Sequence, residues 1–459
     1  MSRAFEGERF VVVGLGVAGR AAARVLAEEG ATVRVTEQRD DVEGVSELVA
    51  LGVDVRLGGH DPAHLRDVDA VVTSPGVPEQ AIVLRWAVER AIPIWSELDV
   101  GARLCDVPYV AVTGTNGKST TTKLVAAMLS AAGLDAVACG NIGHPFSVAA
   151  REGHAALAVE TSSFQLCFHH WLHPRVSILL NVAPDHLDWH GSLEGYTAAK
   201  ARIFELQGRG DTHVGNADDR AARAVSRRAP CRTAWFGAGA PGHDTGGRTG
   251  HRTNRVGVVD GEIVAWWRGH DLALGRPAHD AAGFVADCAA AAAAGLAFGL
   301  TEDAVRAAIT TMPPLPHRGE EVARAGSVRF LDDSKATNVH AALHALRGRR
   351  EVVLIAGGMA KGVDLSPLAE GTPSLAGVVA IGEAAAEVVE VFEGRVPVRT
   401  AASIEEAVAL AHAMAPGDGT VLLAPACASW DMFRDYTERG DRFAAAARAL
   451  AGEGTRVQP

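Results

Sequence analysis

The stretch Tyr109–Gly133, YVAVTGTNGKSTTTKLVAAMLSAAG, constrains the fold more than any other part of the chain. Its opening apolar run suits a buried strand. Its second half repeats apolar residues every three or four positions, as a helix closed by Gly133 would. Between them lies GTNGKST. A glycine-rich turn from strand into helix aims backbone N–H groups and the helix dipole at an anion. Lys118 would then reach the terminal phosphates, and the Ser119 hydroxyl would sit beside Mg²⁺. The usual loop has four residues between its glycines; here two separate Gly114 from Gly117. An ordinary strand–helix corner with a surface lysine is the competing reading. The order strand, Gly-Lys-Ser, helix favours phosphate.

Such a unit belongs in a parallel sheet, and the rest of the chain alternates accordingly. RFVVVGLG, TVRVTE, VDVRLG and AVVTSPG read as strands, and AGRAAARVLAEEG and QAIVLRWAVERA as helices. AALAVE and VSILLNV continue the second unit; REVVLIAGG, GVVAIG and TVLLAPA make a third. The expected fold class is α/β in three domains. These are a Rossmann-like N-terminal domain (1–104), a P-loop ATPase-like central domain (105–312) and a Rossmann-like C-terminal domain (313–459). GAGAPGHDTGGRTGHRTNR reads as an exposed loop or hairpin tip, and MPPLPHRGE as a linker.

A length of 459 residues accommodates about three domains of ordinary size. A net charge of −11 without a basic tract argues against nucleic acid as a partner. The six cysteines form no CxxC and suit small buried hydrophobes in a reducing compartment. The N-terminus, MSRAFEGERF, carries charges where a signal peptide needs an apolar core. CAAAAAAGLAFGL, following Asp287, reads as a packed helix and not as a membrane span. The expectation is a cytoplasmic monomer without membrane contact.

VVVGLGVAGRAAARVL holds GxGxxG at Gly14, Gly16 and Gly19, with Glu37 closing the next strand where a ribose-binding acid belongs. This is also a dehydrogenase signature. A dinucleotide fold needs a second mononucleotide half, and the phosphate loop at Gly114 starts another domain too soon. The glycines then cradle a different pyrophosphate, with Ser74, Pro75 and Gly76 in the same crevice. Glu160 ends a strand, and LLNVAPDHLDWHGSLEGYTAAKARIF supplies Asp185, His186, Asp188, His190 and Lys200. Beside a phosphate loop these suit Mg²⁺ better than an independent transition-metal centre. His169, His170 and His173 read as a solvated helix end. In the third unit LDDSKATN, GGMAKGVDLSP and APACASWDMFRDYTERG are three polar clusters after strands, which suggests a ligand face.

GTNGKST, SSFQL, DHLDWHGS, YTAAKARI, PHR, DDSKATN and LLAPACASWDMFRDYTERGDRF occur in order over nearly the whole chain. Together they resemble the Mur ligase family, ATP-dependent amide-forming enzymes of peptidoglycan synthesis. The likeness is greatest to members that add glutamate to UDP-N-acetylmuramoyl-L-alanine. The resemblance implies ATP and Mg²⁺ as cofactors, an acyl-phosphate intermediate, and UDP-N-acetylmuramoyl-L-alanine and glutamate as substrates. It implies ATP binding by Gly114, Thr115, Asn116, Gly117, Lys118, Ser119 and Thr120, with Arg318 and Asp333 from the third domain. Mg²⁺ falls to Ser119, Glu160 and His186, and to Lys200 as a carbamate; Lys118, Glu160, His186 and Lys200 are the implied catalytic set. The UDP-sugar falls to Gly14, Leu15, Gly16, Val17, Glu37, Gln38, Arg39, Ser74, Asn141 and His186. Glutamate falls to Lys335, Thr337, Lys361, Ser429 and Tyr436, and its handedness, D or L, stays open. The chain departs from the family twice. Glu37-Gln38-Arg39 stands where Asp-Thr-Arg is frequent. Gly283, Phe284 and Asp287 fall in register with HN-x-x-N, whose asparagines meet adenine.

Overall fold

A computed structural model describes residues 3–240, 254–313 and 315–452. Most of the Gly/Arg-rich insert (241–253) and Pro314 of the proline cluster lie outside the described residues. The chain divides into two units, the first formed by Met1–Val182, Glu194–Ala278 and Val285–Met312. The second comprises Ala183–Leu193, His279–Phe284 and Pro313–Pro459.

The first unit contains two sheets. One is built from β1 (Arg9–Val13), β2 (Thr32–Thr36), β3 (Asp54–Arg56), β4 (Ala70–Thr73) and β5 (Ile94–Ser96), in the order β3-β2-β1-β4-β5 and parallel throughout. Successive side chains of a strand point to opposite faces. Phe10 and Val12 accordingly join the cluster containing Ala22, Val25 and Leu26 of the helix Val17–Glu28. Val11 and Val13 join Val83 and Leu84 of the helix Ile82–Glu89. Two covered faces explain why the strands read as unbroken apolar runs.

The second sheet has β6 (Tyr109–Thr113), β7 (Ala136–Gly140), β8 (Ala156–Glu160), β9 (Val176–Leu179), β10 (Thr212–Asn216) and β11 (Arg232–Phe236), followed by β12 (Arg255–Val259), β13 (Glu262–Trp267) and β14 (His270–Gly275). Its order is β14-β13-β12-β11-β10-β9-β6-β8-β7. The pairs β12–β13 and β13–β14 are antiparallel and the other pairs parallel. Asp260-Gly261 and Arg268-Gly269 make its two turns, all four residues having φ between 49° and 93°, which suits two-residue hairpins. β6 lies between β9 and β8, so the chain leaves in opposite directions there, at a switch point where open α/β sheets bind ligands. The alanine-rich segment forms the helix Ala282–Phe298, with Ala289 through Ala294 buried. No helix among the described residues is long and apolar enough to cross a membrane.

The second unit holds β15 (Glu320–Ala325), β16 (Val328–Asp332), β17 (Val352–Gly357), β18 (Leu375–Ile381), β19 (Val398–Thr400) and β20 (Thr420–Leu423). The order is β15-β16-β20-β17-β18-β19, parallel except for β15. β16, β20 and β17 are therefore neighbours. The loops after them carry DDSKATN, APACASWD and GGMAKG, so the three polar clusters leave the same edge of one sheet.

Candidate active site

A cavity of about 520 Å³ opens at the carboxyl end of β1 and β4. Gly14, Leu15, Gly16, Val17, Glu37, Arg39, Ser74 and Asn141 all line it, as does Gln165. Gln38 does not; it is exposed. Gly14 takes φ 84°, and a Cβ on Gly19 would lie 2.0 Å from the Gly14 carbonyl oxygen, so the helix can approach the loop only through glycine. Ser74 donates its hydroxyl to the same carbonyl at 3.2 Å. Glu37 braces the loop. Its carboxylate accepts the Leu15 N–H at 2.7 Å, the Arg39 N–H at 3.1 Å, and the Arg39 guanidinium at 2.9 and 3.1 Å. The guanidinium hydrogen bonds chiefly hold the Glu37 carboxyl down at about 2. The first sheet ends at β5, and β6 begins another; the second mononucleotide half of a dinucleotide-binding fold does not form.

The phosphate loop runs from β6 to the helix Lys118–Ala131, with Gly117 left-handed at φ 86°. Lys118 Nζ donates to the Gly114 and Thr115 carbonyls at 2.9 and 3.0 Å. Lys200, 1% exposed, donates to the same Gly114 carbonyl at 2.8 Å and lies 4.3 Å from the centre of the Tyr196 ring. Tyr196 in turn donates to Thr115 Oγ1 at 3.3 Å. The helix Leu193–Ala201 thus presses two side chains onto the loop. Asn181, just after β9, clasps it from the other side: its Oδ1 accepts the Asn116 N–H at 2.8 Å and its Nδ2 donates to the Asn116 carbonyl at 3.1 Å. Asp287, the residue in register with the family's last asparagine, lies against Gly117; a Cβ there would be 2.1 Å from Asp287 Oδ1.

Glu160 ends β8, next to β6, and is 2% exposed. Its Oε1 accepts from Asn141 Nδ2 at 3.1 Å, while its Oε2 is buried without a hydrogen-bond partner. An ionised carboxylate oxygen left so costs several kcal/mol, roughly, unless a cation meets it. Hard oxygen donors beside a phosphate loop suit Mg²⁺, so the residues present fit that ion.

His186 belongs to the second unit. It is left-handed (φ 54°) at the start of the helix Leu187–His190, and its N–H donates to Asp185 Oδ1 at 3.0 Å. Lys361 Nζ lies 2.6 Å from the same oxygen, and Asn338 Nδ2 donates to Asp185 Oδ2 at 3.2 Å. After β16, Lys335 places its Nζ 3.6 Å from the centre of the Tyr436 ring. Thr337 follows on the same loop, and Ser429 is buried in the loop after β20. Desolvation pushes the Asp333 carboxyl up to about 7, against the pull of Arg318.

Arg439, which sequence reasoning missed, knits these loops together. Fully buried, it donates to the Ser334 hydroxyl at 3.0 Å, the Ser334 carbonyl at 2.9 Å and the Cys427 carbonyl at 3.2 Å. One expectation needs correction. His169 is not part of a solvated helix end: it is fully buried, bonded to the Arg202 carbonyl at 2.9 Å, and burial pushes its imidazole down to about 4. The proline cluster lies where the two units divide, its described residues before β15 in no helix or strand, and its His317 is buried 2.7 Å from Asp332. The Asp332 carboxylate raises its pKa.

Sequence profiles described as "Mur ligase MurD-like, N-terminal domain", "Mur ligase middle domain" and "Mur ligase, glutamate ligase domain" match residues 8–96, 112–258 and 317–427. A relative from Frankia casuarinae named UDP-N-acetylmuramoylalanine--D-glutamate ligase is 43% identical, with 96% of this chain and 94% of the relative covered. One of the same name from Streptomyces avermitilis is 40% identical, with 97% and 99% covered. Among solved structures, a pseudomurein peptide ligase type C from Methanothermus fervidus aligns with a TM-score of 0.61 at 19% identity, over 98% of this chain and 100% of that one. MurF ligase from Thermotoga maritima in complex with ADP aligns at 0.59 and 17% identity, over 99% and 97%. At such identities the structures carry the fold alone, whereas the sequence relatives span both chains almost entirely. The chain belongs to the Mur ligase family.

Proposed function

We propose that the chain is an ATP-dependent ligase of peptidoglycan synthesis that joins D-glutamate to UDP-N-acetylmuramoyl-L-alanine through an acyl phosphate. One observation carries the reading: Asn141 lines the loop-and-helix cavity and also donates to Glu160 beside the phosphate loop. A nucleotide-sugar site and a phosphoryl-transfer site are thereby joined through one side chain. The relatives' shared name supplies the substrates and the handedness.

A carboxylate is a poor electrophile toward an amine, and phosphorylation by ATP gives it a good leaving group. The N–H groups at the start of the helix Lys118–Ala131 hold the phosphates, and Lys118 exchanges its loop carbonyls for the transferring oxygens, where charge accumulates. Ser119 and Glu160, with His186 and a carbamylated Lys200 by the family resemblance, would hold Mg²⁺. When bound, the ion neutralises phosphate charge. Gly14 through Val17 hold the pyrophosphate of the sugar nucleotide on the helix N-terminus. Arg318 and Asp333 serve ATP; Lys335, Thr337, Lys361, Ser429 and Tyr436 serve the amino acid, whose amine attacks the acyl carbon and expels phosphate.

Residues 1–104, 105–312 and 313–459 serve as sugar-nucleotide, ATP and amino-acid domains in this reading. In this reading the enzyme acts as a monomer in the cytoplasm. Phosphate release from ATP with UDP-N-acetylmuramoyl-L-alanine and each glutamate enantiomer tests it. Release with D-glutamate is expected; release with only the L form would reassign the substrate, and release with neither would refute the reading.

A further inference from the structure

Lys361, which the proposed reading gives to the amino acid, forms a buried ion pair with Asp185. The two side chains are each 7% exposed and 2.6 Å apart. Both belong to the second unit. Lys361 is held by an unusual backbone: its own φ is 56°, and Gly357, Gly358 and Gly362 around it have φ of 121°, 126° and 68°. Asp185 is fixed by the His186 N–H and by Asn338. A buried pair of this kind has a strict requirement. Drawing off one partner strands the other charge out of water. A ligand bringing only a carboxylate for Lys361 would cost Asp185 this 2.6 Å ion pair and give it nothing in exchange. An α-amino acid brings both charges, so each member of the pair can exchange its partner for one of like charge.

We infer that Asp185 is a substrate-binding residue: the pair opens to the incoming amino acid, Lys361 taking a carboxylate and Asp185 the α-ammonium. This rests on the reading of the second unit as the glutamate site, and it goes beyond that reading by assigning the ammonium. Asp185 then also selects against diacids that lack an amine.

The test is calorimetry on the full chain with UDP-N-acetylmuramoyl-L-alanine and a non-hydrolysable ATP analogue present. D-glutamate is compared with glutarate, the same diacid without the ammonium. The native chain is expected to prefer glutamate by at least ~30-fold, and Asp185→Asn, which keeps the side chain's size, to shrink that ratio about tenfold, the equivalent of ~1.4 kcal/mol. A role confined to pinning residues 183–193 would weaken both ligands equally and leave the ratio unchanged, which would overturn the inference. Equal binding of the two ligands by the native chain would overturn it as well. Should Asp185→Asn bind neither, Asp185→Glu decides: a retained preference supports the inference and indifference refutes it. A native chain that binds neither ligand refutes the glutamate-site reading itself, and is distinguishable because no ratio exists.

Discussion

Glu37 stands where a ribose-binding acid was expected, yet its four hydrogen bonds go to Leu15 of the glycine loop and to Arg39. The acid is legible in the sequence by its position after β2; its partner is not, because an i,i+2 fork depends on the turn that follows. The depressed pKa has a definite sign. A carboxyl at about 2 when folded, against an ordinary value near 4.5, contributes stability that is complete above pH 4.5 and is lost as the pH falls toward 2. Glu37→Gln should therefore be less stable than the native chain by about 1–2 kcal/mol at neutral pH, a figure lowered for the exposed Arg39 guanidinium. Denaturant midpoints should show that gap constant from pH 8 to 5 and closing below 4.5. A gap that widens in acid would contradict the geometry. Lys200 carries a second prediction at this scale. Carbamylation needs the neutral amine, and burial beside a bound cation favours that form. Lys200→Ala should lose ligase activity by at least ~10²-fold and regain part of it with added short-chain carboxylate, measured by phosphate release. Full activity of the variant in CO₂-depleted buffer would remove the carbamate from the mechanism.

At the scale of elements, β1 to β4, β6, β8 and β9 of the first unit were legible because covered faces leave unbroken apolar runs, whereas β5, β7 and β10 to β14 were not read from the sequence. The hairpin turns Asp260-Gly261 and Arg268-Gly269 also have the composition of two-residue turns, although only the first pair is a strong signal alone. What was not legible depends on contacts distant in the chain. Asn181 looks like one more polar residue after a strand until β9 pairs with β6 and sets it beside Asn116. Arg439 reads as a surface residue of a helix until the loops after β16 and β20 close over it, and burial pushes its guanidinium down to about 10. His169 misled for the same reason: a run of histidines suggests solvent, and only the Arg202 carbonyl shows otherwise. The glycine loop offers the sharpest test of how elements set the site. Gly19→Ala would place a methyl group 2.0 Å from the Gly14 carbonyl oxygen and 2.5 Å from Ser74 Oγ. The helix Val17–Glu28 must then move off β1. The expected result is a loss of about 1–3 kcal/mol in stability and a KM for the sugar nucleotide raised at least ~10-fold, with the KM for ATP little changed. An equal rise in both would show that the substitution disturbs more than this cavity.

At the scale of the whole molecule, the residues assigned to the reaction are divided unevenly between the two units. The sugar-nucleotide cavity, the phosphate loop, Glu160 and Lys200 all belong to the first, and Lys335, Thr337, Lys361, Ser429 and Tyr436 to the second. In the proposed reading the first unit holds most of the groups that activate the carboxylate, His186, Arg318 and Asp333 of the second being the others, and the second unit holds those that present the amine. This division separates the two half-reactions chemically. Lys361→Ala should abolish amide formation with glutamate yet still permit ATP-dependent activation of UDP-N-acetylmuramoyl-L-alanine. Hydroxylamine added in place of glutamate would then attack the acyl phosphate, expelling phosphate and leaving a hydroxamate that ferric ion reveals. Lys118→Ala should lose both products, since it removes a donor to the transferring phosphoryl group, at a cost of at least ~10²-fold. The contrast matters more than either variant alone. If Lys361→Ala forms no hydroxamate while its nucleotide binding is intact, the amino-acid side chains take part in activation too, and the assignment of Lys361 to the amine half-reaction alone is wrong.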